Sequence, residues 1–313
     1  MLIKTCLSIA SPAGCGARLS VLIFHRVFAT PDPIFPDEMH ATRFDEVCGW
    51  LKSWFNVLPL DAAVTRLKTG TLPARAACIT FDDGYADNHD VALPLLKKHG
   101  LSATFFIATG FLDGGRMWND TVIESVRLTK LGKVDFGELG CYLVNTPGEK
   151  AVAISALIGK IKYLPVAARL ANAQFIADAA QVVPPDDLMM TSAQIKAMRQ
   201  AGMQIGAHTV SHPILARLSD ELARSEIKGS KDTLEQLLGE RIGLFAYPNG
   251  KPGEDYTPAS VDVVKGLSFD AAVSTQWGAS GNGDDVFQIK RFTPWDRSRT
   301  GFCLRLFTNF ART

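Results

Sequence analysis

Short, mostly apolar runs recur along this chain, each followed by a stretch of helical spacing. They cover residues 21–24, 76–81, 103–108, 203–207, 244–247 and 271–274. A strand with one wet face alternates polar and apolar residues, so continuous apolar runs predict strands covered on both faces. The intervening segments supply the cover. Phe44, Val47, Cys48, Leu51 and Trp54 keep helical spacing, as do Val91, Leu95 and Leu96 before Gly100. The latter helix between two apolar runs makes a β-α-β unit. Thr191 and Gln194 form a capping-box pattern ahead of a helix that Gly202 closes, and another helix is expected over 219–238. The fold class is therefore α/β with a parallel sheet. From about 119 to 187 the strand signals fade. Alanine-rich helical spacing, including Ile154, Leu157, Ile158 and Ile161, predicts a mostly helical insertion there.

Composition excludes several function classes. Lys and Arg number 33 against 32 Asp and Glu, a balance with no electrostatic footprint for nucleic acid. No stretch approaches the ~20 apolar residues of a membrane span. The six cysteines show no C-x-x-C spacing, which argues against a zinc ribbon or a disulfide scaffold and suits a reducing compartment. The N-terminal apolar run is short and broken by Ser8, Ser11, Pro12 and Gly14, so no cleavable leader is expected.

Two clusters of reactive side chains follow strands. The first is Thr80-Phe81-Asp82-Asp83-Gly84-Tyr85. Active sites of parallel α/β folds lie at this edge of the sheet. Adjacent carboxylates repel unless a cation compensates, and a metal on one leaves the other free as a base. The second cluster is His208-Thr-Val-Ser-His212. Two His four apart can share a metal, but Thr209 stands where helical zinc proteases carry their Glu. The base must come from elsewhere, and Asp82 is the nearest supplier. Each cluster alone is common in surface turns. Together, an Asp and two His give a three-ligand set with a position open to water, the pattern of catalytic zinc.

With these motifs in place, the sequence resembles the polysaccharide deacetylases of carbohydrate esterase family 4. Their T-F-D-D-G and H-(S/T)-x-x-H hallmarks occur here as Thr80 to Gly84 and His208 to His212, and Phe245-Ala-Tyr-Pro-Asn-Gly250 is a third similar feature. The resemblance covers roughly residues 20–115 and 190–300. It implies a distorted (β/α)7 barrel, a single catalytic domain over 1–313 that carries the insertion. It also implies that Asp82 is the base, that Asp83, His208 and His212 hold the metal, and that the Asn249 N–H holds an oxyanion. The implied cofactor is one divalent ion, zinc first, with cobalt, nickel and manganese as alternatives.

The chain departs from the family in two places. No Arg precedes the proline turn to pair with the catalytic Asp, which leaves Arg291, after a strand-like run at 286–289, as the substitute. No His follows His212 to act as general acid. In the poly-N-acetylglucosamine deacetylases, a His in a Y-H-x-V context at the end of the first strand takes that role. Phe24-His25-Arg26-Val27 resembles it, with His89 as second choice. Tyr85, Trp118, Tyr247, Arg291 and Trp295 are the candidate groove residues, with Asp120 and Asp296 nearby.

The expected activity is removal of acetyl groups from an N-acetylated glycan. O-deacetylation, hydrolysis of another amide, or a binding relic without turnover are the alternatives. The expected place is cytoplasmic, at the inner membrane face beside a glycan-assembly system.

Overall fold

The computed structural model describes residues 2–294, 296 and 298–311. Seven parallel strands close into a barrel: β1 (Arg18–Phe24), β2 (Ala76–Phe81), β3 (Thr104–Ile107), β4 (Gln204–Ala207), β5 (Leu244–Ala246), β6 (Ala271–Trp277) and β7 (Ile289–Phe292). Closure comes from β1, which pairs with β2 from Leu19↔Ala76 to Phe24↔Phe81 and with β7 at Val21↔Arg291 and Leu22↔Phe292. The register between β6 and β7 shifts between Ile289 and Arg291, one source of the distortion.

The strands are buried on both faces, as their composition requires. Leu19 and Val21 belong to one apolar cluster with Ala76, Cys78, Phe106, Ala246 and Val273. The alternate residues Leu22 and Phe24 join Ile79, Phe81, Phe105 and the outer helices. Phe81 stacks on Phe105 at 4.7 Å and on Phe24 at 5.2 Å, and Phe44 from the helix Ala41–Trp54 meets both Phe24 and Phe81 edge-on.

The helix Leu60–Lys68 covers the end of the barrel where the strands begin. Leu60 N–H donates to the Gln204 side chain, Lys68 Nζ to Asp270 O, and Asn282 Nδ2 to Leu67 O. The other end, where strands finish, is left for loops.

Between β3 and β4 lie the helices Trp118–Leu128, Pro147–Ile161 and Val166–Ala179, with their own apolar cluster around Val122, Val126, Phe136, Leu157 and Ile176. The expectation of fading strand signals needs a correction here. Lys133–Asp135 and Cys141–Leu143 form an antiparallel hairpin. Each strand is only three residues long and only Val134 is buried, so no period of two could be read. The expected late strand also lies further on, with Arg291 inside β7 rather than after it. Among the described residues no helix is long and apolar enough to cross a membrane.

Candidate active site

The loops at the open end converge because their backbones are stitched to one another. Asp82 N–H donates to Phe24 O at 2.9 Å, which sets the Asp-Asp pair beside the end of β1 and His25. Asp83 O accepts from Ala108 N–H, His208 N–H donates to Ile107 O, and Gly110 N–H to Val210 O at 2.8 Å. Glu226 fixes the histidine turn from below, accepting from Val210 N–H, Ser211 N–H and Ser211 Oγ at 2.9, 2.8 and 2.7 Å. Nothing in the sequence singles out Glu226, one acid among several on its helix.

The turns are tight enough to force left-handed backbone. Among the described residues eight non-glycines have positive φ, and four stand in these three loops: Asp83 (77°), Thr209 (65°), His212 (53°) and Asn249 (58°). Such conformations cost about 1–3 kcal/mol each and persist where surrounding contacts over-determine them. Their gathering at one end of the barrel marks this end as the functional one.

Asp83, His208 and His212 come together with one ligand atom from each within 4.8 Å of the others. Asp83 Oδ1 lies 3.5 Å from His208 Nε2 and 3.4 Å from His212 Nε2. Ligands ~2.1 Å from a tetrahedral ion stand ~3.4 Å apart, so this spacing fits an ion better than direct hydrogen bonds. Asp83 Oδ1 is buried and meets no hydrogen-bond donor, a costly state that a cation would relieve. His208 Nδ1 lies 2.8 Å from Ala246 O, a contact that holds a proton on Nδ1 and turns Nε2 toward Asp83, where it would serve as the ligand atom for an ion. Burial holds His212 down at about 4, so its ring is neutral at ordinary pH. Burial also opposes charge on His208, but Asp82 and Asp83 raise its pKa above the usual histidine range.

Asp82 sits beside this trio in a different environment. Arg291 grips it with both Nη groups, each at 2.7 Å from one carboxylate oxygen, and both side chains are buried. Arg291 is itself held by Nε donating to Ser274 O at 2.7 Å. Burial resists ionisation of Asp82, yet Arg291 and His208 hold its pKa below the ordinary carboxylate range. A carboxylate so fixed stays charged near the ligand trio, with Oδ2 4.0 Å from His208 Nε2.

A cavity of about 830 Å³ opens onto this site. Its walls include His25, Asp83, Tyr85 and Asn249 from the barrel loops, Asp120, Arg127 and Ile158 from the insertion helices, and Phe35 and Glu38 from the segment after β1. Asn249 lines it as well, and its carbonyl accepts from Thr275 Oγ1 at 2.7 Å. His25 is exposed at the rim, its carbonyl accepting from Asn88 Nδ2. His89 instead pairs with Asp90 outside the cavity lining, and His99 pairs with Asp45.

Three groove candidates are corrected by their placement. Tyr247 is fully buried, stacked on Tyr256 at 3.9 Å, with its hydroxyl donating to Phe287 O, so it packs the core. Trp118 packs on the insertion's own cluster with Arg169 over its ring. Arg291, 1% exposed, contacts Asp82 and not the cavity. Tyr85 does line the cavity, but the Arg26 guanidinium covers one face of its ring at 4.6 Å. Trp295 lies outside the described residues.

Comparison with known proteins agrees with this geometry. The sequence profile of the family described as polysaccharide deacetylase matches residues 69–133 and 163–272. The unmatched stretch holds the helix Pro147–Ile161. The Bacillus subtilis protein YxkH, a polysaccharide deacetylase by name, is 21% identical over 277 residues, 88% of this chain and 71% of its own. The poly-beta-1,6-N-acetyl-D-glucosamine N-deacetylase of Staphylococcus aureus is 30% identical over 112 residues, 36% of this chain and 39% of its own. Among solved structures, the Streptococcus pyogenes deacetylase PplD in complex with acetate superposes with a TM-score of 0.62 at 20% identity, covering 94% of this chain and 98% of its own. IcaB from Ammonifex degensii gives 0.61 at 19% identity, covering 96% and 98%. These superpositions show the same barrel fold.

Proposed function

This chain belongs to the polysaccharide deacetylase family, and on that premise we propose that it removes acetyl groups from the amino sugars of an N-acetylated glycan in a metal-dependent hydrolysis. The observation that carries the reading is the buried Asp83 oxygen with no donor, 3.4–3.5 Å from two histidine nitrogens, next to a separately held Asp82. The staphylococcal relative, named for N-deacetylation of a β-1,6-linked polymer of N-acetylglucosamine, supports an acetamido sugar as substrate.

Asp83, His208 and His212 are the residues to hold one divalent ion, zinc before cobalt, nickel or manganese. When bound, such an ion supplies a water of lowered pKa and polarises the acyl oxygen. Asp82 then takes the proton of the attacking water, because it is the ionised carboxylate beside the trio not needed as a ligand. Arg291 keeps Asp82 charged and fixes both its oxygens. The Asn249 N–H, in a loop that faces the cavity, donates to the oxyanion, an interaction worth about 3 kcal/mol in comparable sites. His25 delivers a proton to the departing nitrogen, which leaves poorly as an anion. His25 and Asp83 line the same cavity, which supports this role.

The test is acetate release from N- and O-acetylated oligosaccharides, with free amines counted in parallel. Acetate and amine should appear together from the N-acetylated series, stop on chelation and return with added metal. Acetate from the O-acetylated series alone would make the protein an esterase.

A further inference from the structure

Arg26 and Asp120 face the same cavity, are fixed on the same phenol ring, and do not meet. The Arg26 guanidinium lies between the rings of Phe28 at 4.5 Å and Tyr85 at 4.6 Å. Its Nε donates to Asp87 at 2.7 Å, and Asp87 in turn accepts from Val27 N–H at 3.0 Å. The guanidinium is thus locked in plane, while its two Nη groups have no acceptor among the described residues. Asp120 comes from the helix Trp118–Leu128, between β3 and β4, and is 3% exposed. The Tyr85 hydroxyl, 3.1 and 3.2 Å from its two oxygens, is its one partner among the described residues. A single hydroxyl donates one proton, so most of the carboxylate's acceptor capacity is unused. Arg26, paired with Asp87 only through Nε, and Asp120, bonded only to one hydroxyl, thus both leave hydrogen-bonding capacity unused on the cavity side.

The bridging group must accept from a guanidinium and donate to a carboxylate. A phosphate accepts from Arg26 but repels Asp120. An ammonium suits Asp120 and repels Arg26. A sugar hydroxyl donates and accepts at one oxygen and carries no charge. We propose that Arg26 and Asp120 form a sugar-hydroxyl subsite, in which the helix Trp118–Leu128 reads a ring hydroxyl of the glycan held at the active centre. This rests on the deacetylase reading above and adds a specificity-determining pair to it. Asp120 is this helix's direct contact with substrate, and the Tyr85 hydroxyl orients its carboxylate.

The experiment uses the full chain, metal-loaded, with an N-acetylated oligosaccharide, a set of its analogues each lacking one ring hydroxyl, and a small aryl acetate. Wild type should lose at least tenfold in kcat/KM on one deoxy analogue. Asp120→Asn and Arg26→Gln should lose a similar factor on the parent glycan, mostly in KM, and should no longer distinguish that analogue from the parent. The glycan-to-aryl-acetate ratio of kcat/KM should fall by the same factor, which corrects for any loss of folded protein. Variants that still discriminate against the deoxy analogue as wild type does would overturn the subsite and leave the deacetylase reading standing. Wild type that hydrolyses the aryl acetate and no oligosaccharide would sink both.

Discussion

Asp82 and Asp83 are chemically identical neighbours, and only their partners give them different work. Arg291 bonds each oxygen of the first once, leaving acceptor capacity for a proton, whereas Oδ1 of the second lies buried between two imidazoles with no donor. Removing Arg291 therefore does more than delete a contact. Arg291→Gln leaves a buried charge unpaired, and we expect a loss of about 3–5 kcal/mol in denaturant unfolding. Arg291→Lys should rescue little, because one ammonium cannot replace two parallel N–H bonds. A Lys variant with wild-type stability and activity would remove Arg291 from this role. The sequence pointed to Arg291 only through the family resemblance and its place after a strand-like run at 286–289. Ile289-Lys-Arg-Phe292 mixes charged and apolar residues, and nothing in that pattern says the arginine faces inward. Aromatic type was equally mute about placement, as Tyr247 and Trp118 show by packing in cores. Asp120 yields a pH test. Burial first of all, with Asp83 and Glu124 adding and Arg26 opposing, raises its pKa to about 7. The folded chain then holds a proton that the unfolded chain releases near pH ~4, so this residue's contribution to stability falls as pH rises between those values. Relative to wild type, metal-free Asp120→Asn should gain stability from pH 5 to 7 by up to about 1.4 kcal/mol per unit. Parallel stability curves would show that Asp120 titrates normally.

At the scale of elements, the ligand set depends on loops bonded to one another more than on the strands beneath them. Gly110 shows this most directly. A Cβ there would stand 2.7 Å from Val210 O, in the loop that carries both histidines. Gly110→Ala must push that loop away. We expect about 1–3 kcal/mol of destabilisation and a weaker hold on metal, read by competition with a chelator. Unchanged metal affinity would mean that the two loops are not coupled. The sequence showed the strands, the capping box of Thr191 and Gln194 and the αL residue Gly100, because each is a local signal. It did not show the hairpin at 133–143, whose short strands bury one side chain, nor the contacts of Glu226 and Asp120. Those join elements far apart in the chain, and their residue types are common on any helix surface.

For the whole molecule, the barrel explains how residues 25, 82, 208, 249 and 291 share one end. Closure between β1, β2 and β7 brings the first and last strands together and sets His25, after β1, and Arg291, in β7, on the same side of the Asp pair. The alternation of runs implied the parallel sheet; closure itself came from the family resemblance, since β7 carried the weakest strand signal. The metal should also act on global stability. An ion that binds only the folded chain, at a hundredfold excess over its Kd, adds about 2.7 kcal/mol. Chelation should therefore lower Tm by about 4 °C in a chain of 313 residues, and metal should restore it. An unchanged Tm would mean that the trio holds no ion of consequence. The division of labour between the two carboxylates is tested most directly by measuring bound metal and acetate release together in wild type and Asp82→Asn. The expected result is one equivalent of metal in both, with activity about 10²–10⁴-fold lower in the variant. Loss of metal from Asp82→Asn, with retention in Asp83→Asn, would contradict the assignment.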